Sequence, residues 1–261
     1  MIFIVGGRGL VGSAIVDYLD KNEIDCQVIQ KENKKDFFDK QCDTLIFANG
    51  NAFKHKANSD PYFDFNASVS SIVEYIHKIK FNNFIHISTV DVYDDKSNLD
   101  LTQEDTQINI DKLDNYGFHK LLAENYVRKY CSNYLIFRLP GLVGKGLKKN
   151  PVFDYISKEK KVMISPESEI NFINTEFIAK TIFKILNLNI KNEIFNLASK
   201  NSLKIKNIEK IVNLQTEYNN EAKNKVQKYK INTKKIQKYV DLPTSEESIK
   251  SYFENLNKKN C

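Results

Sequence analysis

Tyr116-Gly117-Phe118-His119-Lys120 sets a phenol and an amine four residues apart, on one face of the chain if the segment is helical. Such a pair suits hydride chemistry. When a ketone is reduced or an alcohol oxidised, a proton must move at the oxygen while hydride moves at the carbon. A free tyrosine, with a pKa of about 10, is a poor base near neutrality, and an ammonium beside it favours the phenolate. Among 13 tyrosines and 36 lysines this is the only Y-x-x-x-K, and Tyr116 lies 27 residues after Thr89, where a β-branched run ends.

A second group of residues opens the chain. Ile2-Phe3-Ile4-Val5 runs straight into Gly6-Gly7-Arg8-Gly9-Leu10-Val11-Gly12 and then into an amphipathic stretch. This is the layout of a dinucleotide site: Gly6 permits a tight turn, Gly9 lets backbone approach a pyrophosphate, and Gly12 lets helix and strand pack closely. The helix start adds unpaired N–H groups and partial positive charge.

The elements that must position these residues alternate in type. Strands are expected at Ile2 to Val5, Cys26 to Gln30, Thr44 to Ala48, Asn83 to Ser88 and Tyr134 to Arg138. Helices are expected at Val11 to Lys21, Tyr62 to Ile79 (entered at Asp60-Pro61) and Tyr116 to Tyr130. Beyond Arg138 the spacing predicts strands at Lys161 to Ile164, Phe172 to Ile173 and Glu193 to Ala198, and helices at Thr175 to Leu188, Leu203 to Val212 and Thr244 to Leu256. The fold class is therefore α/β: a doubly wound parallel sheet, the Rossmann fold, with a small C-terminal α/β substrate lobe. The dinucleotide-binding domain is placed at 1–145, with segments near 172–200 returning to it, and the lobe at 146–261.

The G-x-x-G-x-x-G spacing resembles the extended short-chain dehydrogenases/reductases, the sugar-nucleotide epimerase, dehydratase and reductase superfamily. The string Gly6 to Ile15 is most similar to the opening of the GDP-fucose synthases, NADPH-dependent epimerase-reductases. Phe84-Ile85-His86-Ile87-Ser88-Thr89-Val90-Asp91-Val92-Tyr93 resembles the superfamily's strand-end motif, which assigns Thr89 rather than Ser88 to the substrate oxygen. The resemblance thus implies a triad of Thr89, Tyr116 and Lys120, with Lys120 also holding the nicotinamide ribose. It implies cofactor contacts from Gly6, Arg8, Gly9, Leu10, Val11 and Gly12, from Gln30 and Lys31 after the second strand, and from Ala48 and Asn49 after the third. Pro140 and Leu142, in Leu139-Pro140-Gly141-Leu142, stand where the family's backbone meets the carboxamide. Thr89, Asp91, Tyr116, Asn51 and Asn150 are the expected substrate contacts.

NADP(H) is the favoured cofactor and NAD(H) the alternative. No acidic residue ends the second strand, where a carboxylate would repel a 2'-phosphate, and Arg8 could face that phosphate. Departures from the family narrow the reaction. The dehydratase Asp-Glu pair is here Val90-Asp91, which disfavours dehydration. The Cys and late His that epimerise sugars in GDP-fucose synthases are missing, since Asp91 takes the Cys position and no histidine follows His119. The expected activity is reduction of a nucleotide-activated keto-sugar, at C4, in surface polysaccharide biosynthesis. A sugar-nucleotide 4-epimerase or dehydrogenase is the alternative, and a non-catalytic dinucleotide sensor the alternative of another class.

Composition bounds these readings. In 261 residues, 41% are hydrophobic and 28% charged, as in a globular protein. The net charge is +6, yet only Arg8, Arg128 and Arg138 are arginine, so no nucleic-acid partner is expected. Lys223 to Lys235 reads as a solvated face. Cys26, Cys42, Cys131 and Cys261 show no pairing pattern, and no His or Cys spacing suggests a metal. Without a signal peptide or a bilayer-length apolar run, the chain is expected to be cytoplasmic, with no membrane partner. By the resemblance, Tyr62 to Ile79 and Tyr116 to Tyr130 pair across a two-fold axis, giving a homodimer.

Overall fold

The computed structural model describes residues 1–157, 161–222, 224 and 226–257, so Lys223, Lys225 and Cys261 lie outside the described residues. In chain order the elements are β1 (Ile2–Val5), α1 (Leu10–Lys21), β2 (Cys26–Ile29), β3 (Gln41–Phe47), α2 (Lys54–Ser59), α3 (Pro61–Phe65), α4 (Ser71–Lys78), β4 (Lys80–Thr89), α5 (Asn115–Tyr130), β5 (Tyr134–Leu139), β6 (Gly141–Val143), α6 (Pro151–Ile156), β7 (Glu169–Ile170), β8 (Phe172–Asn174), α7 (Thr175–Asn187), β9 (Glu193–Asn196), β10 (Leu203–Lys204), α8 (Ile208–Val212), α9 (Lys234–Gln237) and α10 (Ser245–Asn257). Two compact units emerge. The first is Met1–Asp94, Gln107–Arg138 and Ala179–Phe195; the second is Asp95–Thr106, Leu139–Ile178 and Asn196–Cys261.

The first unit is built on a six-stranded sheet in the order β2-β1-β3-β4-β5-β9. β1 pairs in parallel with β2 and β3, and β3 with β4. Covered on both faces, a parallel sheet needs near-continuous apolar strands, and every residue of β1 is buried. Phe3, Val5, Leu45, Phe47 and Phe84 pack with Ile72, Tyr75, Ala123 and Val127 of the helices. The strand order reverses between β1 and β3, the switch point outside whose C-terminal ends open α/β sheets bind ligands. Those ends lead to Gly6 and to Ala48.

Three expectations need correction. Tyr62 to Ile79 is not one helix: Asp60 caps α3 through the Phe63 amide at 3.0 Å, and a π-turn at Asn66–Ser70 then separates α3 from α4. A single extra residue in the helical ladder produces such a turn, which the apolar spacing does not register. Lys161 to Ile164 is not a strand; Val162 makes one isolated bridge to Tyr218. Leu203 to Val212 begins as β10, because Leu203 and Lys204 pair antiparallel with β7, and only Ile208–Val212 is α-helical. In the second unit β6 pairs in parallel with β8. No helix among the described residues is long and apolar enough to cross a membrane.

Candidate active site

The glycine loop is shaped by contact. Gly6 has φ +82°, and a Cβ there would meet the Ala48 carbonyl at 2.9 Å; one on Gly12 would meet the Gly6 oxygen at 2.1 Å. Only glycine permits both, so β1, the loop and α1 close to backbone distance. The Gly9 amide donates to the Gly6 oxygen at 2.9 Å, and the Gly9 oxygen accepts from Ser13 at 2.8 Å. Gly9 is the N-cap of α1 and no side chain caps that helix, which leaves its first-turn donors for an external anion. The Val11 side chain is buried in the core, so only its backbone faces the loop. Leu10 is half-buried, while Arg8 and Lys31 are exposed. At the end of β2, the Gln30 amide nitrogen Nε2 is buried without a hydrogen-bond partner. An orphaned donor there, an uncapped helix and a backbone cradle together fit a dinucleotide. Asn49 is exposed and its amide reaches the Ser71 hydroxyl at 3.4 Å.

Thr89, Tyr116 and Lys120 come together. Ser88 and Thr89 end β4 on opposite faces. The Ser88 hydroxyl donates to Glu124 at 2.5 Å, whereas Thr89 Oγ1 accepts the Asp91 amide at 3.1 Å and its hydroxyl hydrogen-bonds the Tyr116 phenol. Tyr116 lies in the first turn of α5, whose N-cap, Asp114, accepts the Gly117 amide at 2.9 Å. Burial pushes the Tyr116 pKa up from its ordinary value, and the charges of Asp91, Asp64 and Asp114 push the same way; the Thr89 bond opposes them. One turn on, Lys120 Nζ is 5.8 Å from the Tyr116 ring centroid. Burial lowers the Lys120 pKa to about 8, against the opposing charges of Asp64 and Glu124.

The remaining expected substrate contacts are engaged within the protein. Asp91 is ion-paired with Lys54 at 3.2 Å, and the same ammonium meets Asp114 at 2.9 Å. Asn51 is buried, donates to Asp64 at 2.9 Å and closes a turn with Phe53. In the second unit Asn150, with φ +122°, caps α6 through the Phe153 amide and donates to the Leu142 oxygen at 2.7 Å. Pro140 and Leu142 are half-buried there. Among the described residues no group of three or more His, Cys, Asp or Glu side chains could hold a metal ion.

Three groups beside the candidate site are absent from the motif reading. Lys54 ties Asp91 to the N-cap of α5. Asp64 is fully buried and accepts from Asn51, Ser68 and His119 Nδ1, the last at 2.7 Å. Glu124 takes Arg138 through contacts of 3.1, 3.2 and 2.7 Å, and Arg138 donates to the Tyr93 hydroxyl at 2.8 Å. A signal existed for two of them: Asp64 is a lone carboxylate in an aromatic run, Tyr62-Phe63-Asp64-Phe65, and Glu124 follows Lys120 by one helical turn.

Comparison with solved structures finds the same fold. A UDP-galactose 4-epimerase superposes with a TM-score of 0.77 at 18% identity, over 99% of each chain. RMD from Pseudomonas aeruginosa, complexed with NADPH, gives 0.80 at 14% identity, over 99% of each. The dTDP-4-dehydrorhamnose reductase of Bacillus anthracis, in complex with NADP, gives 0.76 at 15% identity, over 97% of each. No curated protein sequence matches. The model of the NAD dependent epimerase/dehydratase family matches residues 2–198, and with that coverage, over a sheet and glycine loop of the matching kind, the chain belongs to the NAD dependent epimerase/dehydratase family.

Proposed function

We propose that this protein is an NADP(H)-dependent reductase of a nucleotide-activated keto-sugar, acting at a C4 ketone in the biosynthesis of a surface polysaccharide sugar. One observation carries the reading: Tyr116 sits against Thr89 and Lys120 in surroundings that keep its phenol protonated. A phenol so placed can give its proton to a carbonyl oxygen as hydride reaches the carbon, the step that reduction requires.

The groups that would hold the cofactor are the α1 N-terminus and the Gly6, Gly9 and Gly12 backbone, with the Gln30 amide, Lys31 and Arg8 near the adenosine ribose. Gln30 brings a donor and no negative charge to the end of β2, which suits a 2'-phosphate better than a carboxylate would. A reduced nicotinamide supplies hydride. Thr89 donates a hydrogen bond to the carbonyl oxygen and polarises it, and Tyr116 delivers the proton to that oxygen. Lys120, held against Gly50, stabilises the phenolate that Tyr116 becomes. Asp91 carries a charge already balanced by Lys54, and Val90 supplies no second acid or base, so no elimination is assigned to this site. The active molecule is proposed to be a homodimer paired through α3 to α5; a monomer by light scattering would refute that.

The test is NADPH consumption with a panel of 4-keto-6-deoxy sugars carrying GDP, CDP, dTDP or UDP. Oxidation of NADPH with one member and little with NADH supports the reading. An isomeric product from an unreduced sugar nucleotide, with no net cofactor consumption, would replace it with a 4-epimerase.

A further inference from the structure

Lys120 is a buried ammonium, and something must keep it charged. A Cβ built on Gly50, whose φ is +130°, would stand 2.8 Å from Lys120 Nζ and 3.6 Å from Ser68 Oγ. That serine hydroxyl is 3.5 Å from Asp64 Oδ1. Lys120, Gly50, Ser68 and Asp64 are therefore consecutive neighbours, brought together where the π-turn Asn66–Ser70 passes the end of β3. Asp64 is wholly buried and acts electrostatically on both Lys120 and Tyr116.

The other charged or titratable groups acting on Lys120 are accounted for. Glu124, on its own helix, has both oxygens taken by Arg138 and one also by Ser88. His86, on β4, is buried with neither ring nitrogen hydrogen-bonded and is held neutral by burial and by Lys120 itself. Tyr116 is held protonated. Asp64, by contrast, is bonded to the amide of Asn51, the hydroxyl of Ser68 and the Nδ1 of His119, none a fixed cation. A buried carboxylate not spent on an arginine or lysine keeps its field, and low local polarity strengthens that field at a neighbouring ammonium.

We propose that Asp64 is a positioning residue for Lys120: a buried carboxylate, anchored through Oδ1 by Asn51 and Ser68, that maintains the ammonium in its charged form next to Tyr116. The proposal deepens the function proposed above and rests on the role given there to Lys120. Losing the anion leaves the buried Lys120 with only the shared charge of Glu124, so its proton comes off at lower pH. Moving a titration midpoint from about 8 to about 7 lowers the charged fraction at pH 7 from about nine-tenths to about one half.

The experiment follows trace acetylation of Lys120 against pH by mass spectrometry on the full chain, for the wild type, Asp64→Asn, Asp64→Glu and His119→Gln. Asp64→Asn is expected to lower the midpoint by at least about one unit and Asp64→Glu to restore most of it. His119→Gln, which removes a partner but keeps the anion, leaves the midpoint unchanged or raises it. A folded Asp64→Asn with the wild-type midpoint overturns the proposal. Should Asp64→Asn fail to fold, a lower midpoint in His119→Gln overturns it, since Lys120 would then follow packing and not charge. Acetylation needs no substrate, so a wild type that turns over no keto-sugar defeats the functional reading while leaving this result standing.

Discussion

Replacing Glu124 with Gln should destabilise the first unit by about 3–5 kcal/mol, because a buried ion pair punishes the loss of one partner far more than the loss of both. Arg138 and Glu124 are 3% and 1% exposed. The guanidinium spends three contacts of 2.7 to 3.2 Å on the carboxylate and one of 2.8 Å on Tyr93. A neutral amide can keep part of that hydrogen bonding but none of the charge, and Arg138 stays buried. Its pKa is pushed further up by Glu124, even against burial, so it cannot escape by losing its proton. The expected loss corresponds to a rise in the unfolding constant of roughly a hundredfold to several thousandfold. The assay is urea unfolding followed by circular dichroism, on Glu124→Gln, Arg138→Met and the double variant Glu124→Leu with Arg138→Met. The double variant should lose less than either single one, since it buries no charge. Single variants within about 0.5 kcal/mol of wild type, or a double variant as unstable as the sum of the two, would refute the reasoning.

Gly12→Ala should fold but lose dinucleotide binding by more than about a hundredfold, equivalent to about 3 kcal/mol, because its Cβ would enter the Gly6 carbonyl; calorimetric titration with NADPH checks this, and unchanged affinity would contradict the loop geometry. Lys54→Met leaves Asp91 and Asp114 unbalanced beside Tyr116, and kcat should fall about threefold to tenfold with KM little changed. Lys54→Arg should recover most of that loss, and steady-state kinetics on the pair decides it.

Much of the framework was legible because it is local. Ile2 to Gly12 encodes a strand, a turn and a helix start in consecutive residues, and the steric demands on Gly6 and Gly12 follow from chain geometry alone. Tyr116 and Lys120 needed only helical spacing. What escaped is non-local: Lys54, Asp64 and Arg138 meet partners 37, 55 and 14 residues away, and no period marks such encounters. The place of Asn51 after β3 implies a substrate contact, but its amide is turned inward by Asp64 on α3. The π-turn was hidden for a related reason, since the apolar spacing of Tyr62 to Ile79 tolerates one extra residue without losing its amphipathic face.

The most direct test compares wild type and Tyr116→Phe for oxidation of NADPH, read by the absorbance of the reduced nicotinamide, with the keto-sugar panel. Phenylalanine keeps the ring and removes only the proton donor, so cofactor affinity should persist while turnover falls by at least about a hundredfold. Equal turnover in the two proteins would contradict the assignment of Tyr116 as the acid, and with it the account of how this site works.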